Sequence, residues 1–480
     1  MTRKTPDFFY TPVILSRMKL YNSLTQIKEE FKPISEGKVT MYHCGPTVYD
    51  YIHIGNLRSF FMGDILRRTF EFLGHEVKQV MNITDIGHLV SDGDEGNDKM
   101  TKALKRHNME ITLENMLKIA EFYADAFKED LKNLNILTPH VMPKASQHIR
   151  EDIELVTKLE EKGYTYRTSD GIYFDTSKMK DYGKLGGIQR EEGQGRIEEN
   201  TEKKHPADFA LWKFDEKNGW PSPWGQGFPG WHIECSGMSM KYLGETIDIH
   251  TGGKDLKPVH HNNEIAQSEC ATGKQFVRYW LHGEFLNING EKLSKSKGGN
   301  ITLRTLEEKG FSPLALRYLY LQAHYRSPMN FSWEILKGAE NALKRVYRTI
   351  RELKEKTKEK TLRENSSFVE RFKEALEDDF NTAEALATLH TLLKSNIPNE
   401  EKLGTALFFD RVLGLQFNTI NEEKEELELP EEMKQLLKER AQAREAKNWE
   451  TSDVLRTKAE EMGYSIADVN GEQIVKKKNT

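Results

Sequence analysis

Cysteine is scarce, with three residues (Cys44, Cys235, Cys270) in a chain of 480. An odd number so widely spaced makes no disulfide framework, which leaves metal ligation, a reactive thiol or plain core packing in a reducing compartment. Long apolar runs are also missing. No stretch approaches the roughly 18 to 20 residues of a spanning helix, and the mean hydropathy is -0.69, so no membrane partner is expected. The N-terminal MTRKTPDFFYTPVILSRMKL lacks the continuous apolar core of a secretory leader, making the cytoplasm the expected location. Charge of one sign is not in excess. A net charge of -5 neither invites RNA nor excludes it, because a local basic face can bind RNA on an acidic protein. Internal repeats are lacking too. What is present is a soluble globular composition, 37% hydrophobic and 30% charged, long enough for two to four domains.

Along the chain, KVTMYHC (Lys38 to Cys44) is strand-like, LRSFFMGDILRRTFEFLGHEV has apolar residues at helical spacing, and HEVKQVMNITD reads as a second strand. That unit opens a parallel α/β sheet, whose ligands sit at the carboxyl ends of its strands. From Thr112 to Pro229 long helical stretches and a charged loop, REEGQGRIEENTEKKHPAD, suggest an inserted domain. The sheet pattern returns with ETIDIHTGG, a helix from about His260, and RYWLHGEFLNING. Beyond Asn300 helices dominate: Leu343, Val346, Ile350 and Leu353 share a face, and similar stripes run through Leu376, Leu386 and Leu413, as in a bundle of roughly three to five helices. The expected fold is α/β, a Rossmann-type parallel-sheet catalytic domain with an inserted connective domain, then an all-α bundle and a small C-terminal module. The expected bounds are 1–111 and 230–300 for the two halves of the catalytic domain, 112–229 for the insertion, 301–335 for a junction, 336–425 for the bundle and 426–480 for the last module.

Two elements suit phosphate chemistry. His53-Ile54-Gly55-Asn56 lies between the first strand and its helix, where a glycine lets the backbone approach a phosphate and the helix start supplies unpaired N–H groups. Alone it is as well read as a helix-capping turn. Lys292-Leu293-Ser294-Lys295-Ser296-Lys297-Gly298-Gly299-Asn300 interleaves three lysines with serines before two glycines, suiting a loop that closes on polyphosphate. Alone it is as well read as a solvated basic loop. Together, in this order, they resemble the HIGH and KMSKS signatures of class I aminoacyl-tRNA synthetases.

The scattered metal-ligand types come next. His260 and Glu264 are four apart, so on a helix both project from one face, and His261 is expected to point elsewhere. With Cys44 and Cys235 they make a plausible zinc set. No CxxC spacing announces it, and from spacing alone buried cysteines with a satisfied core histidine remain the commoner outcome. Cys270 is read as core packing.

The blocks MYHCGPTVYD, MNITD, YFDTSKMKDYGKL, DFALWK, GWHIECS, HHNNEIAQSE, KLSKSKGGN, LRYLYLQAHYRSPMNFS and DDFNTAEAL, in this order over nearly the whole chain, resemble the cysteinyl-tRNA synthetase family. The resemblance implies one Zn2+ per chain held by Cys44, Cys235, His260 and Glu264. It implies substrate contacts from Cys44, Thr84 and Trp231, with catalytic His53, Asn56, Lys292 and Lys295. ATP, with Mg2+, would meet His53, Gly55, Asn56, His250, Asp255, Lys292 and Lys295. It further implies L-cysteine and tRNA(Cys) as partners, and a monomer is expected. The inserted domain holds no motif read as hydrolytic. Departures from the family pattern are Asn56 in place of histidine, the extra glycine of the Gly298-Gly299 pair, and GHLVSDGDEGNDKM after MNITDI, read as a surface insertion. Glu264, the hard-oxygen ligand, is expected to bind loosely enough for substrate sulfur to enter. Two rival readings are a ligase that gives cysteine to a small amine, and a zinc-stabilised RNA-binding protein that has lost catalysis.

Overall fold

The computed structural model describes residues 17–87, 99–186, 202–288, 291–292, 301–358, 360–420, 430–446, 448–469 and 472–477. The chain divides into a large unit, Met1–Asn418, and a small one, Thr419–Thr480.

At the centre of the large unit is a four-stranded sheet in the order Val277–Gly283, Ile247–Gly253, Lys38–His43, Glu76–Met81, with every pairing parallel. Parallel strands need helical crossovers. Ile54–Phe72 links Lys38–His43 to Glu76–Met81, and His260–Thr272 links Ile247–Gly253 to Val277–Gly283. The two crossovers leave in opposite directions from the middle pair. The strand order therefore reverses between Lys38–His43 and Ile247–Gly253, and such a switch point opens a crevice beyond the carboxyl ends of the strands. The strand interiors, Val39, Met41, Val80, Ile249 and Leu281, are buried, as a sheet covered on both faces requires. Toward the carboxyl ends the buried residues turn polar: His43, His250, Thr251 and His282.

The segment between the two sheet halves runs first through the helices Lys99–Arg106, Leu113–Asn133 and Ile149–Glu161. It continues as a four-stranded antiparallel sheet, Thr165–Arg167, Gly171–Phe174, Phe209–Phe214 and Gly227–Pro229. Long helical stretches and a charged loop were the sequence expectation here. The strands come from short aromatic runs, YTYR, GIYF and FALWKF, whose rings pack as Tyr164–Phe174 and Phe174–Phe209 stacks. The charged stretch 187–201 lies outside the described residues.

After the sheet, Leu303–Glu308 and Pro313–Leu321 lead into four helices, Trp333–Lys356, Ser366–Glu377, Thr382–Lys394 and Asn399–Leu413. Leu343, Val346, Ile350, Leu353, Leu376, Leu386 and Leu413 are all buried between them. Arg317, fully buried, joins the bundle to the parallel-sheet region: it donates to Asp64 Oδ2 on the first crossover helix at 2.7 Å and to the carbonyl of Leu413 at 2.7 Å. The small unit pairs helices Glu431–Glu445 and Trp449–Glu461 with a hairpin, Tyr464–Val469 and Glu472–Lys477, around Met433, Leu436, Ala459 and Ile466.

Candidate metal centre and active site

Four residues distant in sequence meet at the switch point. Cys44 follows the Lys38–His43 strand, and its N–H donates to the carbonyl of Thr251 on the neighbouring strand at 3.1 Å. Cys235 lies on the Trp231–Leu243 helix, which starts where the inserted sheet ends. His260 and Glu264 occupy the first and second turns of the His260–Thr272 helix. Their ligand atoms all lie within 4.8 Å of one another, and all four residues are buried. His260 Nε2 is 3.1 Å and Cys44 Sγ 3.8 Å from Glu264 Oε1.

The electrostatics show how tightly these groups are coupled. The hydrogen bond shared with the Cys44 thiol brings Cys235 down to about 6, although burial opposes it. Burial, followed by the Cys235 thiol, pushes Cys44 well up. Burial alone would raise Glu264, yet the His250 and His260 imidazoles bring it down to about 2. Burial would lower His260, but the Glu264 carboxylate carries it up to about 10.

The residues fit a zinc ion. Bond lengths of about 2.0–2.3 Å place the donors of a tetrahedral site about 3–4 Å apart, close to the 3.1 and 3.8 Å separations present. Two thiols, an imidazole and a carboxylate buried together carry excess negative charge once the thiols ionise, and a dication offsets most of it.

His261 is a correction to the sequence expectation. Its Nε2 is 3.4 Å from Cys44 Sγ, and Cys44, His250, His261 and Glu264 form a second group with ligand atoms within 4.8 Å. Successive helix positions do diverge, but this helix begins wedged against the strand ends, so both neighbours of its first turn reach buried partners. His261 Nδ1 is 2.8 Å from His282 Nε2. His250, expected beside the nucleotide, is fully buried, with Nε2 2.9 Å from Glu264 Oε2 and its ring stacked on Trp280. Glu264, expected as a loosely held donor, has both oxygens engaged by histidines.

Trp231 is half-buried, with its ring centroid 4.4 Å from that of His260. Thr84 is buried, and its hydroxyl donates to Glu234 Oε2 at 3.1 Å. Asp255 is exposed at the end of the Ile247–Gly253 strand. His53 caps the first crossover helix: its Nδ1 accepts from the Asn56 N–H at 3.1 Å, with Gly55 half-buried and Asn56 exposed. Ile54 N–H donates to the carbonyl of Ile301 at 2.9 Å and His53 bridges Thr302, so the segment after the lysine loop is tied to this turn. The backbone of Lys292 pairs with Asn287. Lys295, with Gly298 and Gly299, lies outside the described residues, as does most of the GHLVSDGDEGNDKM insertion.

Sequence reasoning missed that Thr84 meets a buried Glu234 and that His250, His261 and His282 line up behind Glu264 and Cys44. Glu234 stands beside Cys235 in WHIEC, and a charged residue on an otherwise buried helix face was the available signal.

Comparison with known proteins bears on the same residues. Residues 30–341 match the family model described as tRNA synthetases class I (C) catalytic domain. Residues 371–397 match a DALR domain, and 427–475 a cysteinyl-tRNA ligase anticodon binding domain. The chain is 44% identical to a cysteine–tRNA ligase of Treponema denticola, over 96% of this chain and 99% of that one. It is 44% identical to cysteine–tRNA ligase 1 of Burkholderia lata, over 94% and 95%. Among solved structures, Mycobacterium tuberculosis methionyl-tRNA synthetase in complex with methionyl-adenylate covers 79% of this chain and 90% of its own at TM-score 0.55 and 12% identity, a likeness of fold. With its Cys-Cys-His-Glu cluster at the switch point of a class I sheet and matches along nearly its whole length, the chain belongs to the cysteine–tRNA ligase family.

Proposed function

We propose that this ligase activates L-cysteine with ATP and transfers it to the terminal adenosine of tRNA(Cys), selecting its substrate through a zinc ion held by Cys44, Cys235, His260 and Glu264. The observation that carries this reading is the convergence of those four side chains beside the crevice. Cysteine and serine differ by sulfur for oxygen, and an apolar pocket separates such near-isosteres only about 10²-fold. When bound, zinc supplies a soft Lewis acid that favours a thiolate over a hydroxyl.

The chain's own residues align and stabilise charge, since the substrate carboxylate is the nucleophile on the α-phosphorus. Cys44, Thr84 and Trp231 hold the amino acid. His53, Gly55 and Asn56 sit where the helix start presents N–H groups to phosphate, with Mg2+ accompanying ATP. Lys292 and Lys295 meet the departing pyrophosphate, and Asp255 faces the nucleotide. The His53–Thr302 bridge supports this arrangement, because it ties the segment that follows the lysine loop in sequence to the turn. The bundle of 336–425 and the module of 426–480 take the tRNA, and the inserted domain of 112–229 lies between the halves 1–111 and 230–300, with 301–335 as the junction. No helix among the described residues is long and apolar enough to cross a membrane. A monomer working in the cytoplasm completes the reading.

ATP–pyrophosphate exchange with cysteine against serine, followed by charging of tRNA, tests the proposal. Cysteine-dependent exchange with cysteinylation is expected. Exchange without charging of any tRNA would point to a ligase acting on a small amine, and no exchange at all to a protein without catalysis.

A further inference from the structure

The geometry points to Arg58 as a positioning residue for adenylate formation: it staples the strand that leads to Lys292 onto the helix that begins at the His53 turn, and so fixes the spacing of the two elements that handle phosphate. This rests on the reading of Lys292 and Lys295 as contacts of the departing pyrophosphate, and adds what holds that part of the chain in place.

Arg58 lies on the first crossover helix and is 5% exposed. Its four terminal N–H groups all end on backbone carbonyls. Nη1 donates to those of Glu284 and Phe285 at 3.0 and 2.9 Å, and Nη2 to those of His324 and Ser327 at 3.2 and 2.7 Å. The Glu284 carboxylate faces Lys254, so what the guanidinium meets is the backbone. A buried cation satisfied in this way fixes where its carbonyls lie, because moving any of them away strips a charged donor of its partner.

The carbonyls belong to two segments far apart in sequence. Residues 284–285 precede the strand Leu286–Ile288, and residues 324–327 precede Met329–Phe331, which runs parallel to it. Glu284 N–H donates to the carbonyl of Tyr325 at 2.9 Å, and Met329 N–H to that of Phe285 at 3.1 Å. On its other edge Leu286–Ile288 pairs with Glu291–Lys292. Arg58 therefore holds this three-stranded sheet where both parallel strands start. The same helix takes the chain again at Ile301, whose carbonyl accepts from Ile54 N–H. The strand before residues 293–300 and the segment after them are thus referenced to one rigid element.

In activation a carboxylate oxygen of cysteine bonds to the α-phosphorus while the bridging P–O bond breaks and pyrophosphate leaves with the electron pair. Charge builds on the leaving group, and misplacing a stabilising group by about 1 Å can cost about 10²-fold in rate. The planar fork of a guanidinium spans four carbonyls at once. A lysine ammonium, with three donors on one atom, cannot.

The test is Arg58→Lys, which keeps the charge. Its kcat for cysteine-dependent ATP–pyrophosphate exchange should fall about 10- to 100-fold. KM for cysteine should stay within about threefold, because the group lost acts on the leaving pyrophosphate and not on amino-acid binding. Single-turnover transfer from preformed cysteinyl-adenylate to tRNA should also stay within about threefold, since pyrophosphate has already left. Loss of packing alone would slow both steps. In a Lys292→Ala background Arg58→Lys should add little, as the two act through one strand. Should Arg58→Lys fail to fold, Arg58→Gln, which buries no charge, is read by the same split. Undiminished exchange, transfer slowed in parallel with exchange, or a double variant whose losses multiply in full overturns the inference. Undiminished exchange in Lys292→Ala alone would instead overturn the reading of the lysines on which it rests.

Discussion

Glu264 Oε2 lies 2.9 Å from His250 Nε2, with both side chains fully buried. The carboxylate is therefore held from behind, by a histidine stacked on Trp280, while its other oxygen faces His260. Partners of this kind orient ligands and tune their donor strength. His250→Ala is accordingly expected to weaken metal retention about 10- to 100-fold. Chelator competition followed by metal analysis checks it.

Arg317 anchors the bundle to the helix that begins at the His53 turn through its pair with Asp64, both fully buried. Arg68 Nε also pairs with Asp64, at 2.9 Å, so removing Arg317 leaves the carboxylate one cation, at a cost below the about 3–5 kcal/mol of a pair broken outright. Arg317→Met should lower the urea midpoint accordingly, and Gly414→Ala should act in the same direction. A Cβ there would lie 2.5 Å from Arg317 Nη2, at a φ of +64°.

Asp130 predicts a pH dependence away from the centre. Burial first, then Glu307 and Glu129, raise its carboxyl to about 7. A folded-state pKa above the unfolded one means stability that is complete below the unfolded value near 4 and lost as pH rises through about 7. Asp130→Asn removes the ionisation. The variant should melt above the parent at pH 8, with the gain fading toward pH 5 and gone near pH 4.

The parallel sheet, its crossover helix from His260 and the bundle stripe of Leu343, Val346, Ile350 and Leu353 were legible because periodicity reports burial directly. His260 and Glu264 were legible as a pair, since four residues on a helix share a face. Their meeting with Cys44 and Cys235 was legible only through the family resemblance, because those approaches depend on strand order, which spacing does not carry. His261 was misplaced for a related reason: helical geometry gives a direction but not what packs there. The inserted antiparallel sheet went unread because its strands are three to six residues long, too short for alternation to stand out between long helices.

The proposed function turns on a soft cation at Cys44, Cys235, His260 and Glu264 that distinguishes sulfur from oxygen. The most direct measurement is the ratio of kcat/KM for cysteine to that for serine in pyrophosphate exchange, before and after removal of all transition metal and again after zinc is restored. The ratio should collapse on removal, to no more than the roughly 10²-fold an apolar pocket provides, and recover with zinc. A ratio unchanged in the verified metal-free enzyme would contradict it.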